Sequence, residues 1–78
     1  MTSLGDAKKK ALNKLIEAKI VDERYELISI FSYSLGKSEI DIVIEDKEIL
    51  DQNQLIILEK NIQSDKRAEG LVIDFKKK

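Results

Sequence analysis

Apolar residues near the start of the chain recur at helical spacing. Ala7, Ala11, Leu12, Leu15 and Ile16 fall on one broad face at 3.6 residues per turn, which predicts an amphipathic helix over residues 5–20. Ser3 with Asp6 three residues on is a capping-box signal at its start. Lys9, Lys10, Asn13, Lys14 and Glu17 lie off that face, toward water. Lys8 and Lys19 fall within it near the helix ends, so their ammonium groups have to snorkel outward.

The pattern then changes period. Residues 24–35 are rich in β-branched and aromatic side chains and read as a strand, with Tyr25, Leu27, Ser29, Phe31, Tyr33 and Leu35 on one face. Ile28 and Ile30 fall on the other face, which requires cover there or a bulge. Leu35-Gly36-Lys37-Ser38 reads as a hairpin turn, with Gly36 supplying positive φ. Residues 39–46 alternate cleanly, placing Ile40, Ile42 and Ile44 inward and Asp41, Val43 and Glu45 outward, as a second strand does.

Residues 51–66 carry Leu55, Leu58 and Ile62 at helical spacing, although the run from Leu55 to Leu58 also suits a buried strand. The length of the stretch from Lys47 to Glu69 favours a helical crossover. Residues 69–76, with Leu71, Ile73 and Phe75 on one face, read as a last strand. The expected order is α-β-β-α-β, an α+β fold with two helices packed on one face of a three-stranded mixed sheet, the last strand entering by a right-handed crossover. The other sheet face is left open, with Tyr25, Phe31 and Tyr33, or Ile28 and Ile30, as part of it.

Length and composition narrow this picture. The 78 residues allow one domain, 1–78. A domain of this size buries only about 60% of the surface its unfolded chain exposes, so association with a partner or a second copy adds useful burial. Hydrophobic residues make up 42%, too many for a disordered chain, and Ile dominates them. The chain has no Cys and no His, which removes disulfides, thiolate nucleophiles, Cys-type zinc sites, and the commonest general base and metal ligand. No apolar run approaches the roughly 18 residues of a membrane span, and the N-terminus becomes charged within ten residues without a signal-peptide core, which predicts a cytoplasmic protein. The Lys- and Glu-rich balance is that reported for hyperthermophile proteins. The lack of Pro points the other way, and an AT-rich genome gives the same Ile and Lys bias.

Charge is unevenly placed. Residues 1–20 carry five Lys against Asp6 and Glu17, the middle of the chain is acidic, and Lys76, Lys77 and Lys78 close it. Lys8, Lys9, Lys10 and Lys14 on the first helix, together with that tail, are candidate nucleic-acid contacts. The predicted α-β-β-α-β order resembles type II KH-like domains, and the resemblance implies RNA binding. The chain lacks their Gly-x-x-Gly clamp, and its net charge is −1.

Asp41, Glu45 and Lys47 superficially resemble the metal-binding signature of restriction-endonuclease-like nucleases, in which the Asp and the Glu-x-Lys sit on adjacent strands. On one strand Asp41 and Glu45 lie roughly 13 Å apart at about 3.3 Å per residue. That is too far for one Mg²⁺ with ligands at about 2.1 Å. The acidic stretch Glu39, Asp41, Glu45, Asp46, Glu48 and Asp51 lacks the order of an EF-hand loop and reads as solvated charge, or as a patch for a basic protein partner. Gly5, Gly36 and Gly70 stand alone, so no phosphate loop is present.

These observations predict a small non-enzymatic protein-interaction module, or an accessory subunit of a larger assembly, with no cofactor, no metal and no small-molecule substrate. Its interface is expected at Tyr25, Phe31 and Tyr33. The alternative is a nucleic-acid-binding domain that uses the lysines.

Overall fold

The computed structural model describes residues 1–65 and 71–75. Its first helix, α1 (Leu4–Glu17), starts where the Ser3 hydroxyl accepts a hydrogen bond from the Asp6 backbone N–H at 3.1 Å. It buries Leu4, Ala7, Ala11 and Leu15, in accord with the predicted stripe. It ends in a Schellman motif: the N–H of Lys19 donates to the Ile16 carbonyl and that of Ile20 to the Leu15 carbonyl. Lys19 itself is left-handed, with φ 58°.

Residues 24–35 are not a strand. They lie in a second helix, α2 (Glu23–Leu35), which packs against each of the other three helices. Residues four apart share a face in a helix and in a strand alike, so Leu27, Phe31 and Leu35 satisfied both readings. Only the helix also brings Ile28 onto that face, where it packs on the core instead of requiring a second layer. Because the exposed Tyr25 and Tyr33 lie opposite the buried Leu27 and Phe31, α2 has no clean polar face to impose a period of 3.6 on the sequence.

Gly36 does take positive φ, 65°, but as a helix stop and not as a hairpin turn: the N–H groups of Gly36 and Lys37 both donate to the Ser32 carbonyl. Two residues later the Ser38 hydroxyl accepts from the Asp41 N–H at 3.1 Å and opens α3 (Glu39–Ile44). The alternating isoleucines of residues 39–46 are therefore helical as well. A strand needs a neighbour for its backbone groups, and with 24–35 helical the expected hairpin partner does not exist.

The one ladder among the described residues joins β1 (Thr2–Ser3) and β2 (Ile49–Leu50), antiparallel, with Thr2 opposite Leu50 and Ser3 opposite Ile49. Two further bonds extend it into the first turn of α1: Leu4 N–H to the Glu48 carbonyl at 2.7 Å and Gly5 N–H to the Asp46 carbonyl at 2.9 Å. These bonds satisfy two N–H groups that a helix start leaves unpaired.

The fourth helix, α4 (Gln52–Gln63), is present as predicted and carries a full capping box between Asp51 and Gln54. Leu55, Leu58 and Ile62 face the core, while Ile57 points outward and is 44% exposed.

The expected last strand falls partly outside the described residues, at 69, 70 and 76. Leu71–Phe75 join no ladder. Their inward alternation holds, since Ile73 and Phe75 are buried and Val72 is exposed, but side chains secure their backbone. Glu59 accepts from the Phe75 N–H at 2.9 Å, and the Lys10 ammonium donates to the Asp74 carbonyl. Among the described residues the architecture is thus a cluster of four helices with a two-stranded clip, replacing the three-stranded sheet, and Phe31, Leu4, Leu15, Ile42, Leu58 and Ile62 form its deepest core.

Candidate interaction surface

Loss of the α-β-β-α-β order removes the KH-like likeness, and several of the first-helix lysines are engaged within the fold. Lys8 turns inward: its Nζ donates to the Ile42 carbonyl at 2.6 Å and pairs with Asp46 at 2.7 Å. Lys10 reaches Asp74. Lys14 lies 3.8 Å from Glu17, and Lys9 is exposed. Lys76, Lys77 and Lys78 lie outside the described residues.

The aromatic trio divides as well. Phe31 is fully buried at the centre of the helix cluster, so it belongs to the core. Tyr25 and Tyr33 are exposed, on α2 and not on an open sheet face.

Several of the acidic residues serve local structure. Glu45 sits at the C-cap of α3, where its carboxylate accepts from the Lys47 N–H at 2.8 Å and the Glu48 N–H at 3.3 Å. Asp51 caps α4. Among the described residues no group of three or more acidic side chains is arranged to hold a metal ion.

What the fold does display is α3. This helix has only six residues, too short to be stable unaided. Four features hold it. Ser38 caps its start, and Ile42 anchors it in the core. Lys8 reaches across from α1 to a carbonyl in its last turn, a favourable place for a cation. Lys37, just before α3, pairs with Glu48, just after it, at 2.8 Å and closes the segment. The hydrogen bond and the charge of Glu48 raise the Lys37 ammonium pKa above its ordinary value; desolvation opposes this, and Asp41 and Glu45 add to it.

The helix so held turns Ile40, Val43 and Ile44 into solvent, at 72%, 56% and 71% exposure. Their spacing of three and four residues makes them neighbours on one ridge. Beside the ridge, an open cleft of about 280 Å³ lies among α1, α2 and α3. Leu12, Leu27, Ile28 and Val43 give it an apolar lining, and the exposed Lys9 and Arg24 add positive charge. Val43 belongs to both ridge and cleft, so the two are continuous.

The sequence reading missed this surface because strand alternation put Ile40 and Ile44 in the core. The Ser38-x-x-Asp41 start signal was the available clue to a helix there. No helix among the described residues is long and apolar enough to cross a membrane. Compared with known protein families, curated proteins and solved structures, the chain finds no match.

Proposed function

We propose that this protein is a non-catalytic protein-interaction module whose docking surface is the α3 ridge and the adjoining cleft. The observation that carries the reading is the exposure of Ile40, Val43 and Ile44 together on a helix fixed at both ends. Single exposed aliphatic residues are ordinary, whereas a contiguous group of them marks a contact surface. The fixed helix adds to this, because a preformed surface loses little conformational entropy when it binds.

A photo-crosslinking amino acid at position 44, in cells, tests the reading. Covalent protein adducts are expected from position 44 and not from the exposed position 63 on α4. Equal labelling from both positions, or none from either, counts against it.

A further inference from the structure

We infer that the occupant of this surface is a second copy of the same chain, with α3 of each copy seated in the cleft of the other. The inference rests on the docking surface proposed above and specifies its partner. The cleft calls for a ligand that is apolar and acidic, because its mostly apolar lining also includes the exposed cations Lys9 and Arg24. The chain carries such a segment itself: α3 presents Ile40, Val43 and Ile44 beside the exposed carboxylates Glu39 and Asp41.

Ridge and cleft also adjoin on one face, sharing Val43. A two-fold dimer needs such a self-complementary patch, in which each copy offers the same donor and acceptor surfaces to the other. The arrangement pairs Lys9 and Arg24 of each copy with Glu39 and Asp41 of its partner. It also covers apolar side chains that a small domain otherwise leaves in water.

Sedimentation velocity over a range of concentrations, with charge-reversal variants, is the test. Wild-type chain is expected to dimerise. Arg24→Glu and Glu39→Lys, both at exposed positions, are each expected to weaken the dimer roughly tenfold or more, because each places like charges opposite one another twice in the symmetric interface. An equimolar mixture of the two variants is expected to recover it, because in the mixed dimer both contacts join opposite charges. Circular dichroism verifies folding, and Lys9→Glu replaces Arg24→Glu if the latter does not fold.

A wild-type monomer at every concentration overturns the inference, as does a dimer indifferent to both reversals or a mixture that stays monomeric. If monomeric protein still gives position-44 adducts with some other protein, the docking surface stands and only the choice of a second copy falls.

Discussion

The ammonium of Lys8 sits 2.6 Å from the carbonyl oxygen of Ile42, 34 residues away in sequence. The same nitrogen is 2.7 Å from Asp46, and the Lys8 side chain is only 13% exposed. One α1 side chain therefore terminates α3 and fixes the loop that leads into β2. Lys8→Met keeps the aliphatic stem and removes the donor, leaving the Ile42 carbonyl short of a partner. A loss of about 1–3 kcal/mol is expected in urea unfolding. Asp46→Asn, at a largely exposed carboxylate, is expected to cost less than about 1 kcal/mol. Equal losses from the two substitutions would mean that the ion pair, and not the carbonyl contact, holds α3.

Gly5 packs where no side chain fits easily. A Cβ at this position would lie 3.0 Å from the Asp46 Cβ and 3.1 Å from the Asp46 carbonyl oxygen, which itself accepts the Gly5 N–H. Gly5→Ala gains helix propensity yet is expected to be destabilising by about 1–3 kcal/mol, since the loop must move away from α1. The urea midpoint should fall at unchanged slope. A higher midpoint would show that the loop yields freely.

Lys19 occupies the left-handed position of the α1 Schellman motif, where glycine is the usual residue. Lys19→Gly removes the Cβ strain of positive φ, worth about 1–2 kcal/mol, against a smaller entropy loss. A net gain of roughly 0.5–1 kcal/mol in thermal or urea unfolding is expected. Gly36→Ala, at the matching stop of α2 with φ 65°, is expected to shift stability in the opposite direction.

The Lys37–Glu48 pair makes stability depend on alkaline pH. Glu48 raises the Lys37 pKa in the folded state, so the folded chain holds this proton more tightly than the unfolded chain does. The contribution is therefore fully present below the unfolded lysine value of about 10.4 and is lost as pH rises through the higher folded value. Urea unfolding between neutral pH and about pH 11 should show wild type losing more stability than Lys37→Met. Parallel curves would show that the pair does not act in solution.

Much of this molecule is written locally in its sequence. α1 and α4 lie at the surface, so each has a wet face and a dry face. Their apolar residues consequently keep a period of 3.6, and Ser3, Asp51 and Gln54 mark their starts. The inward alternation of Leu71, Ile73 and Phe75 was legible for the same reason. The positive φ of Gly36 was also legible, because glycine permits it in a turn and at a helix stop alike.

Apart from the Ser38-x-x-Asp41 start signal, it was tertiary structure that decided what residues 24–46 become. In α2 the exposed face carries Tyr25 and Tyr33 instead of charged residues, so periodicity fades, and Leu27, Phe31 and Leu35 fit either conformation. The alternating isoleucines of α3 favour a strand locally. A strand's hydrogen bonds must come from another segment, whereas a short helix makes its own and needs only its ends secured. Ser38 from within the segment and Lys8 from α1 secure them, and with that Ile40 and Ile44 pass from the expected core to the surface, beside Val43.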